Sequence, residues 1–213
     1  MKIYDLSHKL SNQTPVYPGT MPPSFKPAAS LEKEGYKETR IDINSHLGTH
    51  IDAPFHMLEK GKSLDELPVE SFMGKALIIR VPEETTTIEK SLLEDSGDLI
   101  KDTEFVLFNT GWSKYWGSDK YFRDFPVLSA SAVDYLLSFN LKGVGFDTIS
   151  ADTVESQEYE LHKVIMNRDL IIIENLLFPE NLDRVKGYFF CLPLPFQKAD
   201  GSPVRAIIMA ETI

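Results

Sequence analysis

A single cysteine, Cys191, occurs in 213 residues, so no intrachain disulfide can hold this fold. Its neighbours Phe189, Phe190, Leu192 and Leu194 mark it as a small buried hydrophobe rather than a reactive thiol. No apolar run approaches the roughly 20 residues that a membrane-spanning helix needs. No charged-then-apolar signal segment opens the chain, which begins Met1-Lys2-Ile3-Tyr4-Asp5-Leu6-Ser7. A cytoplasmic protein is expected. Positive charge is short as well: 22 Lys and Arg stand against 32 Asp and Glu, for a net charge of −10. Without a basic cluster, nucleic acid and anionic membrane are poor partners, and a small molecule is the expected one. Repeats, low-complexity tracts and linker-like shifts of composition are all missing.

What is present fits one globular body. Hydrophobic residues make up 42% and charged residues 25%, the usual balance of a soluble domain. The length buries a core unaided, so neither a disulfide nor a structural metal is required. The prolines are spread from Pro15 to Pro203, and a single domain over 1–213 is expected. Branched and aromatic runs predict strands at Thr39–Ile43, Lys75–Val81, Glu104–Asn109, Gly143–Phe146, Leu170–Glu174, Tyr188–Leu192 and Val204–Met209. Ile171-Ile172-Ile173 reads as a strand buried on both faces. Helices are expected at Ala130–Asn140, capped by Ser129, at Glu158–Asn167 and at Glu89–Asp95. Strands separated by helices make a mixed α/β domain.

The densest chemistry lies in His46-Leu47-Gly48-Thr49-His50-Ile51-Asp52-Ala53-Pro54-Phe55-His56, which holds three of the five histidines. Imidazole and carboxylate are the ligands that zinc, manganese and iron(II) take. Positions 46, 50, 52 and 56 are all even, so an extended backbone would turn the four groups to one face. Gly48 and Pro54 oppose a helix, and Gly48 leaves room for a ligand or another backbone. The seven fixed positions of H-x-G-T-H-x-D-x-P-x-H would match by chance in about one window in a billion.

This motif resembles that of the metal-dependent cyclase family, which includes bacterial kynurenine formamidases and isatin hydrolases. Supporting resemblances run along nearly the whole chain. They are Asp5-Leu6-Ser7 with Tyr17-Pro18-Gly19, then Asn109-Thr110-Gly111-Trp112, Gly145-Phe146-Asp147-Thr148, and Ala199-Asp200-Gly201-Ser202-Pro203-Val204-Arg205-Ala206. The resemblance implies a compact α/β domain with a barrel-like core and peripheral helices, the swivelling β/β/α fold. It implies that His46, His50 and Asp52 hold metal and that His56 is the catalytic base. A second set of ligands, His162 on a helix and Glu174 at a strand end, is implied likewise, with Asp52 shared between two ions. The expected cofactor is zinc, one or two ions, with manganese and iron(II) as alternatives. A homo-oligomer, a dimer or higher, is also implied.

Read without the family, Glu174 is a strand-end carboxylate that needs either solvent or a cation, and His162 has a structural alternative. His8 reads as structural. Asp147 and Asp152 are candidates for orienting histidines, with turn formation as the equal alternative. Thr49 and Asn109 are candidates for supporting the site. Tyr17, Phe25, Phe55 and Trp112 are candidates for an apolar pocket, with the core as their other place. The expected activity is hydrolysis of a C–N amide bond by metal-activated water, of the arylformamidase type that converts N-formylkynurenine to kynurenine and formate. Ring opening of isatin or another cyclic amide or lactone, a biosynthetic cyclase or dehydratase, and a metal-binding protein without catalysis are the alternatives.

Overall fold

The computed structural model describes residues 2–179, 182 and 185–210. Its strands are β1 (Lys2–Asp5), β2 (Ser24–Ala29), β3 (Glu38–Asp42), β4 (His50–Asp52), β5 (Met73–Arg80), β6 (Thr87–Ile88), β7 (Phe105–Asn109), β8 (Val127–Leu128), β9 (Gly143–Phe146), β10 (Ile171–Glu174), β11 (Lys186–Phe190), β12 (Gly201–Pro203) and β13 (Ile207–Ala210). The helices are α1 (Lys90–Glu94), α2 (Gly97–Ile100), α3 (Ala130–Leu136) and α4 (Glu160–Met166). Nine strands form one sheet in the order β1-β13-β11-β5-β7-β9-β10-β4-β12. This curled sheet with few helices is the expected mixed α/β architecture. Among the described residues no helix is long and apolar enough to cross a membrane.

The middle of the sheet is parallel: β5 pairs with β7, β7 with β9, and β9 with β10. Parallel neighbours need crossovers. Here α1 and α2 separate β5 from β7, α3 separates β7 from β9, and α4 separates β9 from β10. Alternate residues of these strands feed two cores. Leu77, Ile79, Val106, Phe108, Val144 and Ile172 pack with the helices on one face. Ala76, Ile78, Leu107, Ile171 and Ile173 pack on the other. Ile171 to Ile173 are thus buried on both faces, as their sequence suggests.

Most predicted elements stand within a residue or two, and three change. Of the Val204–Met209 run only Ile207–Met209 lies in a strand, β13, and Val204 makes an isolated bridge to Pro193, because the chain leaves β12 at Pro203 and changes partners before β13. β12 pairs with β4, whereas β13 pairs with β1 and β11. The strand expected at Tyr188–Leu192 is β11, two residues earlier, since Lys186 and Gly187 already pair with β5 and Pro193 has no N–H to continue. The Ala130–Asn140 helix, capped by Ser129 Oγ as expected, ends at Leu136. Ser138 donates its hydroxyl to the Tyr135 carbonyl, and the Ser138 and Phe139 amides close tight three-residue turns. The Thr39–Ile43 run is β3, in a separate two-stranded ribbon with β2, and all of it is exposed.

Candidate metal centre

The histidine run is extended only over β4, His50–Asp52. The single extended face predicted for positions 46 to 56 is therefore replaced by two turns around a short strand. Gly48 turns the chain at φ +61°, the left-handed region that glycine enters freely. Pro54 starts a 3₁₀ turn, Pro54–His56, that swings His56 back toward β4. The His46 and His56 rings lie 3.9 Å apart, centroid to centroid.

Sheet register supplies the rest. Glu174, the last residue of β10, stands opposite His50, and Gly201 of β12 stands opposite Asp52. A Cβ on Gly201 would come within 2.6 Å of His46 Cε1, so a side chain there would displace the ring. His162 reaches in from α4, with Nε2 at 3.1 Å from Glu174 Oε1 and 3.8 Å from Asp52 Oδ2. All six predicted site residues, His46, His50, Asp52, His56, His162 and Glu174, are therefore together.

Three of the histidines have an outer partner that fixes the ring. His50 Nδ1 donates to the Gly48 carbonyl at 2.8 Å, leaving Nε2 at 3.1 Å from Asp52 Oδ1. His162 Nδ1 donates to Asp152 Oδ2 at 2.6 Å, and the same carboxylate accepts the Leu161 and His162 amides at the start of α4. His46 bonds Asp52 Oδ1 at 2.6 Å through Nδ1 and Asp200 Oδ2 at 2.9 Å through Nε2. Such partners orient rings for a metal.

The electrostatics follow from burying histidines among carboxylates. Burial disfavours charge on His46, but Asp52 and Asp200 outweigh it and lift its pKa to about 10. Burial is likewise overcome at His162, where Asp152 and Glu174 raise the pKa to about 10. Burial would raise Asp52; His50 and His46 instead hold it well below the usual carboxylate range. The Asp200 carboxyl is lowered chiefly by its bonds to His46 and His56.

The donors suit a divalent cation. Asp52 Oδ2 is buried and has no hydrogen-bond partner among the described residues, an arrangement that costs about 1–3 kcal/mol or more unless something compensates it. Among the described residues two groups offer atoms close enough to share an ion, His46–Asp52–His56 and His50–Asp52–Glu174, and Asp52 belongs to both. Nitrogen and carboxylate oxygen together fit zinc, manganese and iron(II).

Beside the cluster opens a cavity of about 380 Å³, walled in part by Tyr17, Met57, Ile149 and Tyr159. Of the four aromatics proposed for a pocket, only Tyr17 lines it. Phe25 lies half-buried on β2 of the two-stranded ribbon and Phe55 is exposed at 39%. Trp112 packs with Tyr121 and Phe125 in a small separate core. Asp152 does orient a histidine, but Asp147 does not: it accepts from the Thr110 amide and hydroxyl and shapes the turn after β7. Thr49 supports the site through its bond to the Asn175 carbonyl. Asn109 instead bonds Arg80 and the Leu182 carbonyl. His8 stacks on Trp116 at 3.8 Å and touches none of the other histidines. Asp200, which lies within the Ala199–Ala206 motif and bonds His46, is a site residue that sequence reasoning left without a role.

The Cyclase family model matches residues 4–153. The chain is 31% identical to a kynurenine formamidase from Bacillus cytotoxicus, over 96% of this chain and 95% of that one. It is 28% identical to a kynurenine formamidase from Bordetella avium, over 97% of each chain. Among solved structures, an isatin hydrolase bound to the product analogue thioisatinate superposes with a TM-score of 0.88 at 18% identity, covering 99% of this chain and 93% of that one. A "predicted metal-dependent hydrolase" from Bacillus stearothermophilus matches with a TM-score of 0.79 at 26% identity over 97% of each chain.

Proposed function

The chain belongs to the Cyclase family, and on that premise we propose that it is a metal-dependent amide hydrolase of the kynurenine formamidase type. Its substrate is an N-formyl aryl amine such as N-formylkynurenine, and its products are the free amine and formate. The observation that carries this reading is the buried Asp52, which has one unpartnered oxygen and belongs to both ligand groups, beside an apolar cavity.

In this reading His46, His50 and Asp52 would hold the metal, and His162 and Glu174, with Asp52, would provide a second position. Zinc, as one or two ions, is the proposed cofactor. A bound divalent ion supplies Lewis acidity, polarising an amide carbonyl and lowering the pKa of a water to about 7 in the case of zinc. His56 is the base. It takes a proton from the attacking water and returns it to the departing nitrogen, so it must stay free of metal. Its Nδ1 faces Asp200 at 3.6 Å, and that carboxylate stabilises the imidazolium formed midway. Tyr17, Met57, Ile149 and Tyr159 receive the aryl ring. The same reading includes a cytoplasmic homodimer and a single domain over 1–213; pairing of β1 with β13 joins the two ends of the described chain.

The test is metal analysis of the purified protein, followed by hydrolysis of N-formylkynurenine and isatin side by side. Zinc content with formate release, abolished by chelation and restored by zinc, is the expected result. Turnover of isatin alone would move the substrate to cyclic amides. Turnover of neither would refute the amide hydrolase reading.

A further inference from the structure

Asn175 follows Glu174 directly, and the proposed reaction makes no use of it. It is 1% exposed and sits at φ +56°, a conformation that asparagine tolerates better than most residues. Each of its polar groups is engaged. The amide N–H donates to the Thr148 carbonyl at 3.0 Å, and the carbonyl accepts Thr49 Oγ1 at 2.6 Å. Side-chain Nδ2 donates to the Gly48 carbonyl at 2.9 Å, and Oδ1 accepts the Tyr121 hydroxyl at 2.7 Å.

The directions of these bonds follow from one atom. The Gly48 carbonyl can only accept, and it lies 2.8 Å from His50 Nδ1. Two acceptors at that distance would repel, so His50 carries its proton on Nδ1. Its Nε2 then faces Asp52 Oδ1 at 3.1 Å and Glu174 Oε2 at 3.5 Å, where a lone pair needs a cation between it and the carboxylates. The same carbonyl fixes Nδ2 of Asn175 toward itself, so Oδ1 must point the other way, toward Tyr121. Tyr121 has one hydroxyl proton, and its other acceptor, the Asp147 carbonyl, is farther away at 3.2 Å. The Tyr121 ring is fully buried and meets Trp116 edge-on at 5.1 Å, which holds the hydroxyl in place.

We infer that Asn175 and Tyr121 are positioning residues of the metal site: the Tyr121 hydroxyl orients the Asn175 amide, the amide holds the Gly48 carbonyl, and that carbonyl presents His50 with Nε2 toward the metal. This rests on the reading of the cluster as a metal site, though not on the identity of the substrate. Outer partners of this kind change metal affinity by about 10–100-fold when removed.

The experiment compares the wild type with Tyr121→Phe, which keeps the buried ring, and with Asn175→Asp, which keeps the shape but puts an acceptor against the Gly48 carbonyl. Zinc dissociation constants come from competition with a chelator. The His50 tautomer in the zinc-loaded protein comes from ¹⁵N shifts of the imidazole, and thermal stability is measured on metal-free samples. Zinc affinity is expected to fall about 10-fold in Tyr121→Phe and about 100-fold in Asn175→Asp, with wild-type His50 protonated on Nδ1. If Asn175→Asp does not fold, Tyr121→Phe decides. Unchanged zinc affinity with lowered metal-free stability would overturn the inference, leaving the network a purely structural role. A wild-type His50 protonated on Nε2 would also overturn it. Failure of the wild type to bind zinc would refute the metal reading itself, whereas zinc binding without formamide turnover would leave this inference standing.

Discussion

Water reaches the two halves of the histidine site very differently. His50, Asp52, His162 and Glu174 are each 5% exposed or less. The side chains of His46, His56 and Asp200 are 23%, 26% and 42% exposed. In the inner half each ring has one fixed outer partner, the Gly48 carbonyl for His50 and Asp152 for His162. In the outer half His46 and His56 face one carboxylate, Asp200, within reach of solvent. Rigid, dry ligands suit the holding of an ion, and solvent-accessible imidazoles suit the exchange of protons. His46 belongs to both halves, since it also bonds the buried Asp52.

The sharpest way to break this division is to remove the residue on which both ligand sets converge. Asp52→Ala should lose its metal, measured by elemental analysis. Turnover should drop by at least about 10³-fold, which is several kcal/mol of transition-state stabilisation at about 1.4 kcal/mol per decade. His56→Ala comes next. It should keep its metal and lose about 10²–10⁴-fold in kcat, the span of general base catalysis. Loss of metal in that variant would make His56 a ligand of the His46–Asp52–His56 set, and the outer half would no longer be distinct. Asp200→Asn should keep its metal and slow turnover about 10-fold, as a partner that orients His56 and His46 without reacting. An unaltered rate would remove Asp200 from the site.

The smallest effect concerns the histidine outside both halves. Burial lowers the pKa of His8 to about 4, against 6.5 in the unfolded chain. Between those values the unfolded state binds more protons, so stability rises with pH. His8 therefore contributes fully above pH 6.5, and its contribution is lost as pH falls toward 4. His8→Phe keeps an aromatic ring against Trp116 without a titrating group. Urea unfolding of the metal-free proteins should show the variant gaining on the wild type between pH 7 and pH 5. A constant difference across that range would show that His8 does not titrate with folding.

Much of the fold was legible because parallel central strands are long apolar runs. Gly143–Phe146 and Leu170–Glu174 read as strands from composition alone, and their crossover helices follow from parallel pairing. Strands that pair at the edges or break between partners were harder to read. β12 lies just before the Val204–Met209 run and does not read as a strand, and β4 is only three residues long. At the site, the four residues of the histidine run stood out by spacing and type. His162 and Glu174 came through family resemblance, since nothing local distinguishes a ligand histidine on a helix from a structural one. The aromatics fared worse: Phe25, Phe55 and Trp112 have the same chemistry as Tyr17 but lie elsewhere in the fold.

By itself the sequence determined what short-range forces control. Gly48 and Pro54 set the turns that fold His46 and His56 back on β4, because each restricts or frees its own backbone. Only the tertiary structure decided which distant groups complete the site. Pairing of β10 with β4 sets Glu174 opposite His50, and a slip of one residue would send it to the other face. Asp200, Asn175 and Tyr121 arrive the same way, through strand register and buried hydrogen bonds whose partners lie up to 154 residues apart in sequence.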